Sequence, residues 1–198
     1  MKRVVVWLAV ALLSLATPQR PVEAKAPARA EAIRQTSAKR AEVRGIPRFA
    51  EIEPGFARGG QPNEHGLRFL RERGYRTVIS FRRNSPERRS LEEMGIRYIE
   101  IPLRAGVFSA TPPTEEEVSR FLAAVSDSSL RPIFIHCRRG KDRTGAMAAI
   151  YRIEACGWTN EEAIREMRSF GFSGRYRRLR DYVQDYERSS TRTSRTAD

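Results

Sequence analysis

Pro132-Ile133-Phe134-Ile135-His136-Cys137-Arg138-Arg139-Gly140-Lys141-Asp142-Arg143-Thr144-Gly145 is the stretch on which the fold turns. Its first four residues are an apolar run that reads as a buried strand. After the stretch a helix-like run continues to Cys156 and is closed by Gly157. A strand therefore stops at a cysteine, turns through a short loop and restarts as a helix over Thr144–Cys156. Backbone N–H groups of such a turn point inward, and the helix N-terminus adds positive potential. That geometry suits a phosphate. Cys137 and Arg143, with five residues between them, add a nucleophile and a clamp for it.

Working outward, strands and helices alternate. Phe49–Ile52 and Phe56–Arg58 are short strands, and Asn63 caps a helix that Gly74 stops. Thr77–Phe81 has strong β propensity. Ser85-Pro86 opens a helix that ends before Gly95, and Ile96–Leu103 is the next strand. Thr114 with Glu117, and Thr159 with Glu162, have the spacing of capping boxes, for helices to Val125 and Ser169. A last helix runs from Arg177 to Arg188. The alternation predicts an α/β three-layer sandwich, a largely parallel central sheet flanked by helices. Ligands in such folds sit at the carboxyl ends of strands, where Cys137 falls.

The chain has 198 residues, the length of one domain with appendages. It carries 37 Lys+Arg against 24 Asp+Glu, a net charge of +13, which favours anionic partners. Two cysteines do not make a disulfide scaffold. Lys2-Arg3 followed by the apolar stretch Val4–Ala16 reads as a signal peptide over residues 1–24, with Val22-Glu23-Ala24 as the cleavage site. The apolar stretch spans about 20 Å as a helix, short of the roughly 30 Å hydrocarbon core. An uncleaved anchor is the alternative, and membrane contact is expected only then. Cleavage removes Lys2, Arg3, Arg20 and Glu23, leaving a net charge of +11. Residues 25–45 read as a basic flexible linker, 46–188 as the folded domain and 189–198 as a disordered tail. Export to the periplasm or cell envelope, if the source is bacterial, and a monomeric state are expected.

The loop chemistry follows from its residues. A thiol attacks phosphorus as thiolate, and Cys137 lies among inward N–H dipoles, Arg138, Arg139, Lys141 and Arg143, all of which favour the anion. The planar Arg143 guanidinium forks onto phosphoryl oxygens better than lysine. Arg138, Arg139, Gly140, Lys141 and Thr144 complete the phosphate-binding set: Gly140 lets the backbone approach closely, and Thr144 assists the departing thiolate. His136 is read as ordering the loop, and Cys156 as an inert core residue. Arg82, Arg83, Arg88, Arg89 and Arg104 are candidates for the pocket rim. Arg175, Arg177, Arg178 and Arg180 are either a solvated helix face or part of the site mouth.

His-Cys-x5-Arg-Thr-Gly resembles the signature of the cysteine-based protein tyrosine and dual-specificity phosphatases. The fuller string from Cys137 to Gly145 looks most like the atypical dual-specificity and inositol phosphate members. Upstream, Phe56-Ala57-Arg58-Gly59-Gly60-Gln61-Pro62 and then Tyr75–Phe81 are similar to the start of the bacterial, plant and fungal atypical members. The resemblance implies the cysteine phosphatase fold over residues 49–173 and hydrolysis through a phosphocysteine, with no metal and no cofactor. One departure matters. Many members carry a catalytic aspartate after the strand read as Ile96–Leu103, yet residues 104–113 contain no carboxylate. Asp142, inside the loop, takes that place, as it looks in phosphatases whose loops share Lys-Asp-Arg. The alternative is that Asp142 pairs with a neighbouring arginine, with Glu115, Glu116 and Glu117 as runners-up for the acid.

The expected substrate is a phosphotyrosine protein or a polyphosphorylated molecule such as a phosphoinositide or inositol phosphate. Phe108 is a weak candidate for an aromatic pocket wall. A non-catalytic phosphate-binding module is the alternative function; it has no need of a thiolate. Nucleic-acid binding rests on charge alone and is not expected. Export raises a tension, because oxidising compartments inactivate reactive thiolates.

Overall fold

A computed structural model describes residues 36–104 and 111–189. The signal segment 1–24, Phe108 and most of the polar tail lie outside the described residues. Strands β1 (Lys39–Arg40), β2 (Ala50–Glu53), β3 (Phe56–Gly60), β4 (Thr77–Ser80), β5 (Arg97–Glu100) and β6 (Ile133–Cys137) form one sheet in the order β1-β2-β3-β6-β4-β5. β3, β6, β4 and β5 run parallel, and β1 and β2 extend the sheet antiparallel at the β3 edge. The sheet is therefore mixed, with the expected parallel part at its centre.

The helices are α1 (Glu64–Glu72), α2 (Arg88–Glu93), α3 (Glu115–Ser126), α4 (Asp142–Cys156), α5 (Asn160–Ser169) and α6 (Arg177–Gln184). Parallel strands need crossovers, and α1, α2 and α3 supply them. Asn63 Oδ1 accepts from His65 N at 3.0 Å and Gly66 N at 3.2 Å, which starts α1. Both expected capping boxes are present, at Thr114–Glu117 and Thr159–Glu162.

The two sides of the sheet bury different cores. Ile133, Ile135 and Cys137 of β6 face a cluster with Phe121 of α3, Ile150 of α4, Met167 of α5 and Leu179 of α6. Phe134 faces the other way, against Leu67 and Leu70 of α1 and Leu91 of α2. Period-two alternation along a strand buried on both faces produces this split. It places Cys137 on the α4 side and His136 on the α2 side.

Several boundaries differ from those read in the sequence: the strand read as Ile96–Leu103 is Arg97–Glu100, and the helix read from Ser85-Pro86 begins at Arg88. The fold begins before Ile46: Lys39 and Arg40 pair with Glu51 and Ala50, and Ala38 N donates to Glu166 Oε2 at 2.8 Å. The segment from residue 36 is thus not linker. An edge strand exposes its charged side chains, so a basic composition does not reveal its backbone pairing. The last helix stops at Gln184 rather than Arg188, because Asn160 Nδ2 collects the carbonyls of Val183, Gln184 and Tyr186 at 2.8–3.0 Å. Helix α4 starts at Asp142, two residues before the expected Thr144.

Candidate active site

The strand–loop–helix unit forms as the sequence predicts. β6 delivers Cys137 to the carboxyl edge of the sheet, residues 138–141 turn, and α4 begins at Asp142. Cys137 is 3% exposed. Burial pushes its thiol up, yet the Thr144 hydroxyl and N–H, the Arg143 charge and the Arg139 N–H outweigh burial and hold it below the ordinary value. Thr144 is fully buried, and its hydroxyl has no other partner among the described residues.

Neighbouring strand ends set Arg143. Its Nη1 donates to Phe81 O at 2.8 Å, just past β4, and to Leu103 O at 3.3 Å, beyond β5. These carbonyls fix one arm of the guanidinium beside the loop. Arg138 and Arg139 are exposed, while Lys141 and Asp142 are half-buried. Arg138, Arg139, Gly140, Lys141 and Thr144 thus lie on the turn and the helix start that follow Cys137.

Gly140 has a packing role that the sequence alone does not announce. Its φ is +69°, and a Cβ there would stand 2.5 Å from both Gly59 C and Gly60 N. The close approach is to the backbone of β3, behind the loop. Gln61 N donates to Arg138 O at 3.3 Å, which ties the loop to the end of β3.

Asp142 does not pair with an arginine among the described residues. Its Oδ1 accepts from Ser173 N at 2.7 Å and ties the turn after α5 to the start of α4. That bond brings Ser173, two residues before Arg175, to the start of α4, while Arg180 pairs with Asp181 on the helix face. Glu117 is taken by its capping box. Arg88 and Arg89 pair with Glu92 and Glu93 on exposed α2. Arg82 instead reaches Gln61 Oε1. Segment 105–110, where family members carry an acid, lies outside the described residues.

Three features escaped sequence reasoning. His136 is fully buried, and its Nε2 lies 3.1 Å from Glu87 Oε1, off the line of a hydrogen bond. Burial pushes the Glu87 carboxyl up, but His136, Ser85 and a backbone N–H together hold it below the usual range. Gln61 Nε2 donates to the other Glu87 oxygen at 2.7 Å. His136 thus meets a partner 49 residues away that no local pattern announces. Arg48 is the second feature. Its Nη1 donates to Arg139 O at 3.1 Å, and a Cβ on Gly171 would stand 4.0 Å from Arg48 Nε and 3.9 Å from Lys141 Nζ. The third is Arg58 of β3, 0% exposed, whose Nη2 donates to Gly140 O at 3.0 Å. A lone arginine in a strand of small and apolar residues was the available signal.

A family model described as a DSP-PTPase phosphatase fused to NAD+ kinase matches residues 32–185. The chain belongs to this phosphatase family. It is 30% identical over 122 residues to the dual specificity protein phosphatase TpbA of Pseudomonas aeruginosa, covering 61% of this chain and 53% of that one. It is 28% identical over 148 residues to the inositol diphosphatase DSP5 of Arabidopsis thaliana, covering 71% and 70%. The crystal structure of TpbA superposes with a TM-score of 0.66 at 26% identity, over 83% of this chain and 98% of that one. The chain spans about half the length of TpbA itself. The cysteine phosphatase fold expected from the sequence is the fold found.

Proposed function

We propose that the chain hydrolyses phosphoric monoesters through a covalent phosphocysteine on Cys137. The observation that carries this reading is a buried thiol held below its ordinary value despite burial, beside the fixed Arg143. The Cys137 sulfur attacks phosphorus as the bond to the leaving oxygen breaks. Arg143 and loop N–H groups hold the equatorial oxygens. Asp142 gives the leaving oxygen its proton; its bond to Ser173 engages Oδ1 only. Water then attacks phosphorus, the S–P bond breaks, and Thr144 stabilises the departing thiolate. A non-catalytic phosphate-binding module is disfavoured, since simple binding gains nothing from a stabilised thiolate. Turnover of an aryl phosphate by the purified chain, abolished in Cys137→Ser, is the expected result; no turnover refutes the reading. In Asp142→Asn the loss should fall on poor leaving groups, and wild-type rates on them would remove Asp142 as the acid.

Two substrate classes fit this reading. A phosphotyrosine protein is supported by the likeness to TpbA. A polyphosphorylated substrate such as an inositol phosphate is supported by the likeness to the inositol diphosphatase, and by the convergence of Arg48 and Lys141 beside Gly171. A phosphate-release panel of phosphopeptides, phosphoinositides and inositol phosphates decides between them. Residues 1–24 are proposed as a cleaved signal peptide that sends a monomeric enzyme to the cell envelope. An N-terminus at Lys25 on the mature protein and a monomer mass by light scattering are the expected results.

A further inference from the structure

Arg58 is among the largest fully buried side chains of the described residues. It lies on the sheet face that carries Cys137: in the β3–β6 pairing, Arg58 sits opposite Ile135 and Gly60 opposite Cys137. Its guanidinium stacks 4.0 Å from the centroid of the Phe170 ring, on which Arg40 also stacks at 4.4 Å. Only its Nη2 donates a hydrogen bond, to Gly140 O; Nε and Nη1 have no partner among the described residues.

The charges around it do not balance without Cys137. Four charged or titratable groups act on Arg58: Glu166, Cys137, Arg152 and Arg40. Glu166 is already engaged. Its oxygens accept from Arg152 Nε at 3.2 Å, Arg152 Nη2 at 3.0 Å and Ala38 N at 2.8 Å. The buried cluster around Arg58 therefore holds two guanidiniums, Arg58 and Arg152, and one carboxylate. A buried charge left unbalanced is costly, and natural interiors pair it. Burial pulls Arg58 down to about 10, with Glu166 and then Cys137 pulling the other way, so it is still a cation at neutral pH. The anion that closes the balance is the Cys137 thiolate.

We propose that Arg58 is the buried counter-charge of the Cys137 nucleophile, a positioning residue that holds the phosphate loop through Gly140 and stabilises the thiolate from behind. This rests on the reading of Cys137 as nucleophile. It adds a residue on β3 to the machinery of the loop. The substrate meets Arg143 in front; Arg58 touches no substrate and acts through the sulfur and the Gly140 carbonyl.

The test is the pH dependence of Cys137 alkylation by iodoacetamide, located by mass spectrometry, with folding checked by circular dichroism. A merely structural arginine would not move that titration. In Arg58→Met and Arg58→Gln the midpoint should rise by about one unit, a tenfold loss of thiolate on the acidic limb. Arg58→Lys keeps the charge and should move it by less than half as much. Folded Met and Gln variants with the wild-type midpoint overturn the proposal. If those two do not fold, Arg58→His, whose buried ring is uncharged at neutral pH, decides: a raised midpoint supports the counter-charge, and the wild-type midpoint overturns it. A wild-type Cys137 that itself titrates as an ordinary thiol would sink the phosphatase reading, an outcome distinct from a failure of Arg58 alone.

Discussion

Gly140→Ala separates local backbone strain from the tertiary packing of the phosphate loop. The substitution does two things at once. It places a side chain at φ +69°, in the left-handed region, which costs roughly 1–2 kcal/mol. It also drives a Cβ to 2.5 Å from Gly59 C and Gly60 N, distances at which the loop must lift off β3. Lifting the loop breaks the 3.0 Å bond from Arg58 to Gly140 O and moves the N–H groups that hold phosphate. The strain alone should lower Tm by about 2–8 °C in a domain of this size. The displacement, on the order of 1 Å, should lower kcat on an aryl phosphate about a hundredfold. Gly74→Ala is the control. Gly74 has φ +72°, but a Cβ there meets nothing within 4 Å. It should lose comparable stability while kcat stays within twofold of wild type, the size expected of a site far from the chemistry. The assay is steady-state turnover beside calorimetric melting of both variants. A Gly140→Ala enzyme with wild-type kcat would refute the claim that the β3 backbone sets the loop.

Three further outcomes follow from the site. Thr144→Val removes the hydroxyl that does most to hold Cys137 down, so the acidic limb of kcat/KM should shift to higher pH by about one unit, read from a pH–rate profile. Glu87→Gln replaces a buried carboxylate that lies against His136 and should cost about 1 kcal/mol at neutral pH. Because the folded Glu87 carboxyl is held below its ordinary range, its contribution is full above that range and lost as pH falls through it. Urea denaturation of wild type and Glu87→Gln should therefore converge on acidification. Peroxide should inactivate the enzyme, and Cys156→Ser should leave the rate of inactivation unchanged. Cys156 is buried at the far end of α4, roughly 20 Å of helix from the loop, and burial pushes its thiol up.

Helix caps show how much of the fold was legible. Asn63, Thr114 and Thr159 each bond N–H groups two or three residues away, so sequence spacing announces them. The Cys137–Arg143 loop is legible for the same reason, since strand, turn and helix start are contiguous. The pairing of Lys39–Arg40 is not legible, because a strand at the sheet edge is defined by its partner, not by its own composition. Arg88 and Arg89 follow the end of a strand in sequence, and in the structure i,i+4 partners on α2 hold them. The helix rule was available there, but the position of the helix was not.

The sequence by itself determined the strand–loop–helix unit from Cys137 to Arg143, the helix caps and the alternation that builds a parallel sheet. Each depends on hydrogen bonds and periodicities within a few residues. Only the tertiary structure decided what lies behind the loop. Arg58 meets Gly140 across 82 positions of the chain, and Glu87 meets His136 across 49. Burial of these charges makes sense only once β3 lies beside β6 and α2 covers the opposite face. Gly140 is required for the same reason: β3 packs against the loop more closely than any side chain permits.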